Sequence, residues 1–392
     1  MKKVLAVLLA GILLLLPLPA LADSEPANET VDGTVNVPRL AFGMIEEYMN
    51  TYNAQISENK SAVADIVVPT VDAKKALERV IEVIKIQIDT YNTSITQLKD
   101  KLNGSLPDAE KEMINNLIAN YESLVVISEF NKTSYEQQLK EFDANVARAS
   151  DAQTKAAIQA EMANQQIIWG AEQLFLTHNT LKKQIKGQSD QLEFLSKQLA
   201  IMKQQEELGL ITATTYKNME KNVKDLEFAL KTMKNQLASL KGQLNVMFNQ
   251  DYDYNMIIEE TPEFDLDLLL QMDFEQDYKI AEPNSYSVLL KLVNESAQWE
   301  AEERNFKLKF KDCYNNVFTK YENLKLAEGR LEEQKELFKQ YSLKYELGLI
   351  SKIAFEEQKL ALDNQEMNVQ IAKEELFKAY RQYEWMKKGL TL

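Results

Sequence analysis

One hexapeptide occurs twice in this chain, as Glu207-Leu-Gly-Leu-Ile-Thr212 and as Glu346-Leu-Gly-Leu-Ile-Ser351, 139 positions apart. Each copy lies between long stretches without proline. A glycine between two such stretches is where a helix can stop, because glycine accepts the left-handed backbone needed just past a helix end. The Thr or Ser three residues later can accept from the free N–H groups that open the next helix. Each hexapeptide therefore predicts a tight helix–turn–helix.

The arms carry the same message. After the first turn, apolar residues fall at Tyr216, Met219, Val223, Leu226, Leu230, Met233 and on to Met247, alternating steps of three and four. After the second, Phe355, Gln358, Leu362, Gln365, Val369, Ala372 and on to Met386 occupy the same register at the same offset of 139. The arms before the turns match likewise, from Leu174 and His178 to Met202 and from Cys313 and Val317 to Tyr341. A 3.5-residue repeat keeps one seam toward a partner helix. Each arm of about 35–40 residues gives a hairpin roughly 50–60 Å long at ~1.5 Å per residue. Gln358, Gln365, Gln334 and Lys320 on the second seam predict that it is wetter than the first, or that it meets a neighbouring subunit.

Around the hairpins the chain divides simply. Residues 1–22 read as a signal peptide: Lys2 and Lys3, an apolar run from Val4 to Leu16, and Ala20-Leu-Ala22 as the cleavage site. Residues 23–38 read as a flexible leader. A first helical repeat spans 39–249, with helical patterns at about 40–63, 70–103 and 107–165 and a hairpin over 170–249 whose tip is 207–212. The second repeat spans 284–390, with its tip at 346–351. Between them, residues 250–283 hold eleven acidic residues, and no Lys or Arg occurs from Gly242 to Tyr278. A divalent-cation site is one reading of that stretch. Without the 12-residue Ca loop and its glycine, an acidic, solvated linker is the better one.

Signs of chemistry are few. The one histidine, His178, and the one cysteine, Cys313, both fall on apolar seam positions, where structural roles are expected. One cysteine cannot form an intramolecular disulfide. No phosphate loop, metal-ligand spacing or nucleophile elbow occurs, so neither catalysis nor a cofactor or metal is indicated. A formal charge of −15 disfavours nucleic acid as a partner.

A signal peptide followed by two tandem long hairpins that turn on Gly-Leu resembles the TolC-type outer-membrane efflux family. The residues that carry the resemblance are Gly209-Leu-Ile-Thr212 and Gly348-Leu-Ile-Ser351 at the tips. The arm ends Leu244-Asn-Val-Met-Phe-Asn249 and Trp385-Met-Lys-Lys-Gly389 are similar to a family Leu-x-x-x-x-Gly, with Asn249 in place of Gly and Gly389 one position off the offset. Pro283-Asn-Ser-Tyr286 is similar to the Asn-Pro-rich start of a family repeat.

The resemblance implies a homotrimer whose hairpins close into a hollow α-helical tunnel in the cell envelope, at the outer membrane or cell surface. It implies a periplasmic or membrane-fusion adaptor docking on the tips, an inner-membrane transporter behind it, and passage of cargo without covalent chemistry. By that carry-over Gly209, Leu210, Gly348 and Leu349 are docking residues, with the capping Thr212 and Ser351 beside them. Family members also insert a pair of amphipathic barrel strands between each opening helix and its hairpin. Here Asn284 reaches Gly348 in 64 helix-patterned positions, and residues 54–165 of the first repeat are helix-patterned too. The expected fold is thus all-α: two tandem repeats of long antiparallel coiled-coil hairpins, TolC-like without an evident β-barrel. The alternative reading is an extracellular coiled-coil structural or adhesive protein of the envelope.

Overall fold

The computed structural model describes residues 37–104, 107–294 and 297–392, apart from the side chains of residues 108 and 109. The signal peptide expected over residues 1–22, and the part of the expected leader up to residue 36, lie outside the described residues. Residues 37 and 38 belong to a separate N-terminal unit ending at Pro38, and everything that follows concerns the body Arg39–Leu392.

Among the described residues the body is all-α but for one two-residue strand pair. In chain order it runs β1 (Arg39–Leu40), α1 (Ile45–Tyr52), α2 (Ala54–Ala64), α3 (Val71–Leu102), α4 (Asp108–Glu207), α5 (Ala213–Met247), β2 (Ile257–Ile258), α6 (Asp267–Leu270), α7 (Phe274–Ala281), α8 (Tyr286–Val293), α9 (Trp299–Glu346) and α10 (Lys352–Lys387). Three antiparallel pairings dominate: α3 on the first half of α4, α4 on α5, and α9 on α10; α4 also packs along α10.

Several boundaries differ from the sequence reading. The helix expected over 107–165 and the hairpin arm expected from 170 are one helix of 100 residues, about 150 Å at ~1.5 Å per residue. Gly170 does not interrupt it, having neither proline nor a cap beside it. The helix expected over 40–63 is instead broken at Asn53, which is extended at φ −73°, ψ 119°. Its Oδ1 accepts from the Ile56 N–H at 3.0 Å, and its Nδ2 donates to the Met247 carbonyl at 2.7 Å, so the break ties α2 to the end of α5. In the second repeat the helical pattern is interrupted after Val293, and α9 starts at Trp299.

The first repeat has helices where the resemblance places barrel strands. Thr70 caps α3 by accepting from the Ala73 N–H. Ile81, Ile88 and Ile95, seven apart, form its buried seam with Ile118 and Phe142 of α4. Among the described residues, no helix is long and apolar enough to cross a membrane.

The acidic stretch 250–283 is packed, not a solvated linker. Met256, Ile258, Leu269 and Tyr278 interleave its carboxylates and are buried. Its strand β2 pairs in parallel with β1, Arg39 opposite Ile257 and Leu40 opposite Ile258. Periodicity did not reveal this strap because its apolar residues follow no regular repeat.

Two apolar cores sit at the base of the hairpins, away from the tips. One gathers Leu40, Ile45, Met49, Ile168, Phe175, Leu244 and Trp385, and so joins the chain start, the first hairpin and the end of the second. The other gathers Tyr278, Phe306, Phe310, Val317, Leu376 and Tyr383 around the second hairpin. The seam positions from Tyr216 to Met247 are all buried or half-buried, while most residues between them are exposed. The second seam is drier than its glutamines predict: Val369, Leu376, Ala379, Tyr383 and Met386 are buried and Gln358 and Gln365 half-buried. The reason is position, since α10 is covered on one side by α9 and on another by α4.

The candidate functional site: two hairpin tips

Both tips are built by the same hydrogen bonds. In the first, Gly209 takes φ +71°. Its N–H donates to the Glu206 carbonyl at 2.9 Å, and the Leu210 N–H donates to the Gln205 carbonyl at 2.8 Å. In the second, Gly348 takes φ +69°. Its N–H donates to the Tyr345 carbonyl at 2.9 Å, and the Leu349 N–H to the Lys344 carbonyl at 2.8 Å. This paired pattern is the Schellman motif, which satisfies the last carbonyls of a helix. The following helices are capped alike: Thr212 Oγ1 accepts from the Thr215 N–H at 3.1 Å and Ser351 Oγ from the Ala354 N–H at 3.3 Å.

The consequence is a short, rigid turn with apolar side chains facing solvent. Leu210 and Leu349 are 70% and 69% exposed. Sequence reasoning overlooked their neighbours Leu208 and Leu347, at 73% and 65%. The signal was present, because both lie inside the repeated hexapeptide. Four exposed leucines at two such turns form two matching apolar points on a charged molecule. Gly209, Thr212, Gly348 and Ser351 shape the backbone, and the leucines present surface.

The two tips are braced differently. Beneath the second, Phe355 stacks on Tyr345 with centroids 4.7 Å apart and packs on Phe338 at 5.5 Å. The equivalent positions in the first repeat are Tyr216, Glu206 and Leu199, so only the second tip stands on an aromatic cluster.

Far from the tips, buried polar ties join the two repeats. Glu172 of α4, 2% exposed, accepts from Arg381 Nη2 at 2.6 Å, from Arg381 Nε at 3.3 Å and from Trp385 Nε1 at 2.8 Å. Glu374 of α10 accepts from Lys183 Nζ at 2.6 Å, from Thr180 Oγ1 at 2.7 Å and from Thr261 Oγ1 at 3.0 Å. Lys183 also reaches Glu260 of the strap. Burial pulls the Lys183 pKa down, but its bonds to Glu374 and Glu260 outweigh this and leave it above the usual lysine value. Asp277 holds Lys387 at 2.6 Å and the Tyr383 hydroxyl at 2.5 Å. Burial raises its pKa, and these two partners more than reverse that, leaving the carboxyl below its ordinary range. His178 is buried in the first hairpin with its Nδ1 unpaired, and burial holds its pKa below the usual histidine value. Cys313 is buried in the second core and its thiol is pushed up to about 11. Among the described residues, no cluster of His, Cys, Asp or Glu could hold a metal ion.

No family model matches the sequence, and no curated protein matches it. Solved structures do match. The outer membrane protein VceC from the bacterial pathogen Vibrio cholerae aligns with a TM-score of 0.43 and 14% identity, covering 64% of this chain and 76% of that one. The CmeC outer membrane channel of Campylobacter jejuni aligns at 0.39 and 11%, covering 66% and 68%. A membrane protein from Pseudomonas aeruginosa aligns at 0.39 and 13%, covering 59% and 69%. The chain is similar, to these extents, to three bacterial membrane proteins, two of which are described as outer-membrane proteins.

Proposed function

We propose that this protein is a TolC-like export component of the cell envelope. Its hairpins form the wall of an α-helical tunnel, and its tips dock with an adaptor protein that links it to an inner-membrane transporter. The observation that carries this reading is the pair of matching tips, each presenting exposed leucines on a turn fixed by a Schellman motif and an N-cap. A coiled coil built only for rigidity would have no use for exposed apolar side chains at the tip of each hairpin. Two equivalent points on one chain suit a partner that itself repeats around a ring. The cargo passes without covalent chemistry, and the chain acts as a homotrimer.

The test is copurification from cross-linked cells, with captured proteins identified by mass spectrometry. An envelope adaptor is expected with the native chain and not with a Leu210→Asp, Leu349→Asp variant of unchanged helix content. Equal capture of that adaptor by both would overturn the docking assignment.

A further inference from the structure

The first half of α4 carries two heptad stripes where one would suffice to hold α3. Ile114, Ile118, Tyr121 and Val125 form the stripe turned onto α3. Ile118 is buried there, and the Tyr121 ring lies 5.9 Å from that of Tyr91. The second stripe is Met113, Leu117, Asn120, Leu124, Ile127 and Asn131, spaced four, three, four, three and four. Every member of it is exposed, Met113 at 62% and Ile127 at 54%. It lies at the end of α4 away from the tip, since α4 starts at Asp108 and reaches the tip at Glu207.

The residue types in the second stripe say what covers it. The spacing puts Leu117, Leu124 and Asn131 at a positions and Met113, Asn120 and Ile127 at d positions. Leucine at a with isoleucine at d favours bundles of more than two like helices, and an asparagine in such a seam fixes register and helix number at some cost in stability. That cost is smallest when each amide meets another amide, because an amide both donates and accepts. A parallel copy in register does this twice, Asn120 on Asn120 and Asn131 on Asn131. Charge agrees. The flanking e and g positions are Asn116, Tyr121, Ser123, Ser128 and Phe130, none of them charged. From Met113 to Ser128 the one charged residue is Glu122, and it is paired with Lys99 at 3.0 Å. On a chain of net charge −15, this is a surface on which like can approach like without repulsion. A partner selected by charge would find nothing here to select it.

We propose that Met113–Asn131 of α4 is a self-association seam, along which the same helix of other copies packs in parallel and in register. The copies are thereby gathered at the end away from the tips, by a helical segment that occurs once per chain and has no counterpart in the second repeat. α3 stays on the outside of the contact, held by the first stripe. The seam goes beyond the tunnel reading and does not use the hairpins.

The experiment places one cysteine at a time in the full chain carrying Cys313→Ala, with mild oxidation and a non-reducing gel. Asn120→Cys and Asn131→Cys are each expected to give disulfide-linked pairs of chains, because the seam sets each residue against its own copy. Glu136→Cys, at an outward f position of the same helix, is expected to give none. Adding Leu117→Glu and Leu124→Glu, which alter exposed positions only, is expected to lower the cross-linking of Asn131→Cys at least tenfold. Cross-linking undiminished by the two glutamates, or equal at position 136, overturns the seam. If the native chain sediments as an oligomer and neither seam cysteine cross-links, the stripe meets a different partner and the proposal is wrong while the tunnel reading stands. A native chain that sediments as a monomer at every concentration overturns both.

Discussion

Glu172 and Arg381, 209 positions apart in the chain, form a two-point ion pair beneath the hairpins, with the Trp385 indole N–H donating to the same carboxylate. The Glu172 side chain is 3% exposed, so the pair joins the first and second repeats where water cannot substitute for it. Removing one partner of a buried pair strands the other charge, at about 3–5 kcal/mol. Arg381→Ala should therefore destabilise by that amount in denaturant unfolding. Lys224→Ala, which removes only an exposed ion pair with Glu220, should leave the midpoint unchanged.

At the tips, Gly209→Ala and Gly348→Ala force a side chain into a left-handed backbone, at about 1–2 kcal/mol each. Thr212→Ala and Ser351→Ala remove a cap worth about 1 kcal/mol. Hydrogen exchange should quicken within a few turns of the altered tip and stay unchanged at the base. The second tip should resist better, since Tyr345, Phe355 and Phe338 brace it from below.

Gly389 tests a different constraint. It sits at φ +98°, its carbonyl accepts from the Tyr286 N–H at 3.1 Å, and a Cβ there would collide with the backbone of Asn284. Backbone cannot yield as a side chain can. Gly389→Ala should thus cost more than the left-handed penalty alone and free the last residues from α8, seen as new proteolysis near the C-terminus. Gly43→Ala, with nothing within 4 Å of the added carbon, should have no such effect.

His178 predicts a pH dependence. Burial holds its folded pKa below the unfolded value of about 6.5. Its contribution to stability is complete above that value. As pH falls below it, the unfolded chain takes up a proton that the folded chain refuses, and stability declines until the folded pKa is passed. Between pH 7.5 and 5 the Tm of the native protein should fall more than that of His178→Gln. Asp277, whose pKa is also held down, adds its loss only in the acid range below about 4.

The parts of this fold that are legible in the sequence are those with a local signature. The tips show because glycine, leucine and a capping hydroxyl must sit at fixed spacing, and the seams because 3.5-residue periodicity is read within a single helix. The ties between repeats were not legible. Glu374 looks like any solvated carboxylate among lysines, and only the approach of α4 to α10 turns it into the buried acceptor of Lys183, Thr180 and Thr261. The strap 250–283 reads as solvent-exposed by charge, yet Leu269 and Tyr278 hold it to the second core, and no periodicity announces contacts that a non-helical chain makes. The unbroken α4 was missed for the opposite reason: the change of partner from α3 to α5 leaves no mark on the helix itself.

Electron microscopy of the purified oligomer decides whether these hairpins wall a tunnel. A ring of copies around an open lumen is expected, with the tips bearing Leu210 and Leu349 gathered at one end. A filled bundle, or single chains with separate hairpins, would contradict it.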